Sequence, residues 1–374
     1  MPRRGLAARM RHLGVVTAGG DCPGMNAALR AIVKSAVHRH GIRVTGFLDG
    51  FAGLLSDRAR PLGFDDVSGI LAQGGTILGA SNRDDPFRVP VDGPDGRGYE
   101  DRSDAVLATL ARYGVDGLLV IGGDGSLTIA RGLEAKGIAV VGVPKTIDND
   151  VSGTDVTVGF DSARAVATEA VDRLHTTAAS HHRVMVVEVM GRHAGWIALE
   201  AGLAGGGDVI LIPEIPFRHE AIAAGILNRV SHGRRFSIVV VAEGATCLGG
   251  RAVVRQIVAD SPDPVRLGGV GVLVAQTLQS LVPFEVRYVV LGHVQRGGSP
   301  TPFDRVLATR FGVAAVDALM AGDSGVVVAL RGHRIERLAM ADVLRTPKRV
   351  DPLGERVVAA RSIGTVFGDE TTES

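Results

Sequence analysis

The 374-residue chain has only two cysteines, Cys22 and Cys247, so no disulfide framework staples the fold and a reducing compartment is expected. Aromatic residues are scarce, at 4%. Neither sign of charge is in excess: 41 Lys and Arg face 40 Asp and Glu. That balance argues against a general nucleic-acid or membrane-surface binder. No apolar run approaches the ~20 residues that span a bilayer. The basic start, MPRRGLAARMRH, lacks the apolar stretch of a signal peptide. A soluble, cytoplasmic protein is expected, with that start and the tail GDETTES as disordered extensions. What the chain has in abundance is glycine, 51 residues without collagen periodicity. Many of them follow apolar runs, as in ligand-binding α/β proteins. The length suggests two domains.

Short β-rich runs alternate with helical stretches. LGVVTAG (13–19) reads as a strand and PGMNAALRAIVKSAVHRHG (23–41) as a helix, with Pro23 in its first turn and Gly41 as its stop. Further strands are read at IRVTGFL, GVDGLLVIGG, IAVVGV, RVMVVEVM, DVILIP, FSIVVVAE and VRYVVLG. This alternation predicts parallel sheets covered on both faces. The stretch DGPDGRGYED (92–101) reads as an exposed loop. Ligands of such sheets bind at the carboxyl ends of the strands, and the polar and glycine-rich clusters fall at those ends.

TAGGDCPGMN (17–26) turns from strand to helix on two glycines, where backbone N–H groups can face a phosphate, or simply close a βα turn. VIGGDGSLT (120–128) is neither a Walker loop nor a dinucleotide fingerprint. Its Asp124 could approach Mg²⁺ beside phosphate oxygens or could cap the following helix. VPKTIDNDV (143–151) sets Asp148 and Asp150 two apart, on one side if the backbone is extended. One could act as a base and the other hold a metal, while Thr146 could donate to a phosphate. Asn149 has no role that these patterns reveal. Arg183, Arg192, Arg287, His293 and Arg296 would together make an anion pocket.

Taken in order, TAGGDCPGMNAALR, GGTILG, IGGDGS, PKTIDND, VEVMGRHAGWIAL, PEIPF, AEG and LGHVQRGGSPTPFDR closely resemble the 6-phosphofructokinase family, over about residues 12–345. The resemblance implies an α/β fold of two Rossmann-like, three-layer domains with largely parallel sheets and the active site in the cleft between them. The phosphate-donor (ATP/Mg) domain would comprise 1–159 plus 294–345, and the sugar-phosphate domain 160–293 plus 346–374. It implies Mg²⁺-dependent transfer to the 1-hydroxyl of fructose 6-phosphate. Asp148 matches the base, with Thr146 and Arg192 at the transferring phosphoryl. Asp124 and Asp150 match the metal carboxylates. Gly20, Gly123, Asp124, Gly125 and Ser126 match the ATP loops, with Asn82 or Arg83 as a further nucleotide contact. Thr146, Ile147, Asp148, Met190, Gly191, Arg192 and Glu243 match sugar contacts, and His293 and Arg296 match 6-phosphate ligands. Arg183 and Arg287 match arginines that reach a neighbouring site, implying a homo-oligomer, dimer or tetramer.

Two positions bear on the donor. In the family, glycine at 125 goes with ATP and aspartate with pyrophosphate, whereas lysine at 145 goes with pyrophosphate. Gly125 beside Lys145 is a mixed pair. Steric exclusion favours ATP, on the reasoning that a lysine can swing aside; pyrophosphate is the alternative, and sedoheptulose 7-phosphate an alternative acceptor. Arg30, Lys34 and Arg58 match a regulatory pocket, but His175 and Asp208 depart from its pattern. An NAD kinase would lack PKTIDND and GHVQRGGSP, and a silent sugar-phosphate sensor would have no need of Asp124, Asp148 and Asp150.

Overall fold

A computed structural model describes residues 10–93, 96–257 and 265–370. Residues 1–9 and 371–374, where disordered extensions are expected, lie outside the described residues. The ordered chain reaches further than expected at both ends. Met10 is buried in the main core, and Glu370 accepts hydrogen bonds from the Phe367 and Gly368 N–H groups.

The chain opens with β1 (His12–Thr17), α1 (Met25–His40), β2 (Arg43–Phe47), α2 (Phe51–Leu55) and β3 (Ala59–Leu62). The expected loop at 92–101 is instead largely a hairpin, β4 (Val89–Gly93) and β5 (Gly96–Glu100), with Arg88 stacked 4.6 Å from the Tyr99 ring. Then come α3 (Ser103–Tyr113), β6 (Gly117–Gly122), α4 (Asp124–Ala135), β7 (Ala139–Pro144) and the long α5 (Phe160–His181). The next stretch holds β8 (Val184–Val189), α6 (Trp196–Ala204), β9 (Val209–Leu211), α7 (His219–Ser231), β10 (Ser237–Ala242), β11 (Val254–Ile257), β12 (Val265–Leu267), α8 (Val270–Leu281) and β13 (Val286–Val290). The chain ends with α9 (Pro302–Met320), β14 (Val326–Arg331), β15 (Arg334–Ala339), α10 (Met340–Val343) and α11 (Glu355–Ser362).

Two sheets organise these elements. The larger runs β15-β14-β7-β6-β1-β2-β3, parallel except at its two outer strands. The smaller runs β13-β8-β10-β9 and is parallel throughout. Strand alternation buries both faces of the larger sheet. Leu13, Val15, Leu119 and Ile121 face α1 and α9, whereas Val16, Leu118 and Val120 face α2, α3 and α4. The first of these clusters continues through Phe160, Ala163 and Ala167 of α5 to the inner face of the smaller sheet, so one apolar body joins the two sheets.

Helix ends follow sequence chemistry with one adjustment. Gly41 closes α1 in the left-handed region (φ 64°), as expected, but α1 starts at Met25, so Pro23 lies in the turn before it. Thr301 caps α9, accepting from the Asp304 N–H at 3.2 Å. The fully buried Asp304 accepts from the N–H groups of Gly159 and Ser162, so two helix starts meet on one carboxylate. Among the described residues, no helix is long and apolar enough to cross a membrane.

Candidate active site

In the larger sheet, strand order reverses about β1 and β6, the place where parallel sheets open a crevice. A cavity of about 430 Å³ lies there, lined by Gly19, Gly20, Gly123, Asp124, Gly125 and Ser126. A helix start leaves its first N–H groups without partners in the helix, which suits an anion. Asp124 is the first residue of α4, and Gly123 at the cap position makes no side-chain bond. Asp124 thus stands in the first turn of α4 rather than at its cap position. Gly125 opens onto free space: a Cβ there would meet nothing within 4 Å.

Lys145 differs from expectation. It is 2% exposed, and its Nζ donates to the Gly20 carbonyl at 2.5 Å. Burial pushes its pKa down. A lysine so enclosed does not swing aside; it holds the glycine turn. Arg296 stands beside the same turn. Its Nη1 donates to the Asp21 carbonyl at 3.1 Å and the side chain lines the donor cavity. Asn82 lines the cavity too, together with Asp84 and Asp85, which the sequence patterns did not single out; Arg83 is exposed and not among the lining residues.

The segment after β7 carries the carboxylates, and it is not extended. Asn149 is left-handed (φ 52°), a conformation that asparagine tolerates better than most residues. Its buried amide accepts from the Thr157 N–H at 3.1 Å and donates to the Asp155 carbonyl at 3.4 Å. The structure thus supplies a role for Asn149: it pins the turn from which Asp148 and Asp150 project. Thr146 accepts from the Asp148 N–H at 3.1 Å. Ile147 is buried in the main core, leaving only its backbone for a ligand.

Asp148 is the electrostatic centre. Desolvation, then Asp150 and Glu243, push its pKa up to about 7, against the pull of Arg296 and Arg192. Its Oδ1 is buried with no hydrogen-bond partner among the described residues. Such an acceptor is poised for a hydroxyl proton. Asp124 is pushed up by burial and then by Asp150, so these two carboxylates share one field. Two neighbouring carboxylates beside a phosphate-sized crevice fit a hard divalent cation that takes its remaining ligands from phosphate and water. Among the described residues no group of three or more His, Cys, Asp or Glu forms a metal cage.

The smaller sheet supplies the opposite wall. Met190 and Gly191 follow β8, and Met190 N–H donates to Gln295 at 3.3 Å. Fully buried Gln295 thereby ties the His293–Arg296 turn to β8; its position inside GHVQRGG was the available signal. Glu243 follows β10 with its N–H bonded to the Val189 carbonyl, and burial raises its pKa. Gly244 must be glycine, since a Cβ would stand 2.0 Å from the Arg192 carbonyl. Arg183 and Arg287 are not brought to this wall. They sit at the amino ends of β8 and β13 and share Glu285 as ion partner; along the strands Arg183 lies about 20 Å and Arg287 about 10 Å from the carboxyl ends. At the positions matched to a regulatory pocket, His175 donates to the Gly205 carbonyl at 2.6 Å and Asp208 pairs with Arg229 at 2.8 Å.

The arrangement brings a phosphate crevice, two metal-suited carboxylates, a candidate base and arginines into one cleft. The family model described as Phosphofructokinase matches residues 12–319. The chain is 49% identical to ATP-dependent 6-phosphofructokinase 2 of Clostridium perfringens, covering 96% of this chain and 99% of that one. It is 52% identical to the pyrophosphate–fructose 6-phosphate 1-phosphotransferase of Amycolatopsis methanolica, over 91% of this chain and 96% of that one. The fold matches Pichia pastoris phosphofructokinase in its T-state with a TM-score of 0.77 at 32% identity, covering 96% of this chain and 37% of that longer chain.

Proposed function

The chain belongs to the phosphofructokinase family, and from that premise we propose that it transfers the terminal phosphoryl group of ATP to the 1-hydroxyl of fructose 6-phosphate, giving fructose 1,6-bisphosphate and ADP. The observation that carries the reading is Asp148: a buried carboxylate drawn towards neutrality, with an unpartnered oxygen in the field of Arg296 and Arg192. Phosphoryl transfer needs little covalent help, so positioning and charge stabilisation carry the rate. Asp148 takes the proton from the 1-hydroxyl as it attacks. The α4 start and the Gly19–Gly20 turn bind the donor phosphates, and Arg192 stabilises charge on the moving phosphoryl. Asp124 and Asp150 would hold Mg²⁺, which when bound offsets charge on the donor phosphates. Met190, Gly191, Glu243 and His293 hold the sugar phosphate, and Arg296 bridges sugar and donor sides.

ATP is favoured over pyrophosphate by space. The crevice continues past the phosphate turns to Phe51, Thr128 and Ile129, and Gly125 leaves its centre open. The buried ammonium of Lys145 supports the second reading, pyrophosphate, which is also the donor named for the Amycolatopsis relative. We assign the larger sheet to a donor domain (1–159, 294–345) and the smaller to a sugar-phosphate domain (160–293, 346–374), working in the cytoplasm. We also assign a homo-oligomer in which Arg183 and Arg287, placed at the amino ends of their strands, complete a neighbour's 6-phosphate site. Initial rates with ATP and with pyrophosphate at equal Mg²⁺, each with fructose 6-phosphate and sedoheptulose 7-phosphate, test the reading. Turnover with pyrophosphate alone overturns the donor, and preference for the seven-carbon sugar overturns the acceptor.

A further inference from the structure

Residues 346–350 pass between the two walls of the cleft and bond to both. On one side the Lys348 N–H donates to the Asp150 carbonyl at 2.8 Å. Its Nζ donates to the carbonyls of Thr154 at 3.0 Å and Asp155 at 2.6 Å, and Ser152 Oγ donates to the Thr346 carbonyl at 2.5 Å. On the other side the Lys348 carbonyl accepts from the Trp196 indole N–H at 3.2 Å, and Nζ lies 5.2 Å from the centre of that ring. Two residues on, the Val350 N–H donates to Glu214 at 2.9 Å, and the same carboxylate takes the Gly195 N–H at 3.1 Å.

We propose that Lys348 is a positioning residue for phosphoryl transfer: it straps the turn carrying Asp148 and Asp150 to the turn carrying Gly191 and Arg192, and so sets the separation of base and phosphoryl-binding arginine. This rests on the kinase reading above. The anchor points are close to the reacting groups. One is the backbone of Asp150 itself, and Trp196 starts α6 four residues after Arg192. Asn149 grips Asp155 and Thr157 from within the same turn, so residues 154–157 are clasped from two sides. The Lys348 bonds go to main-chain oxygens, which fix backbone position rather than side-chain orientation. A shift of about 1 Å between reacting groups lowers rates by about 100-fold.

The test uses the full chain. Lys348→Met keeps the length of the stem and its packing on Trp196 but deletes the Nζ donors. The expected result, below the melting temperature of both proteins, is a kcat lowered about 10- to 100-fold with KM for the nucleotide unchanged, because the strap does not line the donor crevice. Lys348→Arg, which can still donate, recovers much of the lost kcat. Arg345→Ala, which loses only an exposed pair with Asp342, keeps full activity. A folded Lys348→Met enzyme with wild-type kcat, or one that loses only thermal stability, overturns the proposal. If Lys348→Met does not fold, Ser152→Ala decides: a smaller fall in kcat with the same KM pattern supports the strap, and an unchanged kcat overturns it. A wild-type chain inactive with both donors refutes the kinase reading, and the strap falls with it.

Discussion

Asp148→Asn separates the catalytic from the structural consequences of one buried carboxylate. The asparagine is nearly isosteric, so the Asn149 pin and the Thr146 bond to the 148 N–H persist. A general base contributes about 10²- to 10⁴-fold, so kcat should fall by that factor, about 3–5 kcal/mol of barrier. Fructose 6-phosphate binding, measured by titration without donor, should survive. Stability should move the other way. Burial and like charges raise the folded pKa from 3.8 to about 7, so the folded state binds a proton that the unfolded state releases across that window. Wild-type stability therefore falls as pH rises from about 4 to 7, by at most about 4 kcal/mol. The cleft is partly open, and solvent screening brings the effect nearer 1–3 kcal/mol. The variant lacks this titration. Its amide N–H₂ needs a partner, at about 1–3 kcal/mol, but that contribution does not vary with pH. The assay is thermal melting of both proteins, metal chelated, between pH 5 and pH 8. The variant should gain on the wild type as pH rises. Near-wild-type turnover would refute the base, and a melting difference flat with pH would refute the electrostatic account of its burial.

Three further outcomes are expected. Gly125→Asp should fold normally, since a Cβ there meets nothing, but a carboxylate facing the donor phosphates should lower kcat/KM for ATP by about 100-fold and spare pyrophosphate more; equal losses with both donors would contradict the spatial argument. Arg183→Ala and Arg287→Ala should raise KM for fructose 6-phosphate about 10- to 100-fold. Mixing Arg183→Ala subunits with Asp148→Asn subunits should restore activity through hybrid sites, and a mixture no better than its parts would remove the shared site. Glu188 is 2% exposed and accepts the Gly269 and Gly271 N–H groups at the start of α8. Glu188→Gln should cost about 1–3 kcal/mol and lower the melting temperature by a few degrees; an unchanged midpoint would show that the cap is dispensable.

The elements legible in the sequence were those with strong local periodicity. β1, β6, β7, β8 and β10 are apolar runs buried on both faces, and their ends fall within three residues of the expected positions. The β4–β5 hairpin reads as a loop from sequence because glycine and aspartate dominate it, and its pairing comes from backbone register rather than apolar alternation. The glycine turns are legible because glycines at strand ends mark where backbone can approach a ligand. Gln295, Glu214 and Lys348 were not, because each acts on a segment distant in sequence. Asn149 sat in plain view, but its role depends on residues 155 and 157 folding back over it.

The sequence by itself determined the chemistry. Glycine turns, Asp124, Asp148, Asp150 and the arginines are residue types at spacings that few reactions require. Local patterning is enough to place them at strand ends, because strand period and turn geometry are local properties. Only the tertiary structure decided how far each charge could act. It buried Lys145 on the Gly20 carbonyl, bonded Arg296 to the Asp21 carbonyl, and left Arg183 and Arg287 at the amino ends of their strands. Desolvation and distance set those outcomes, and both depend on which distant segments pack together.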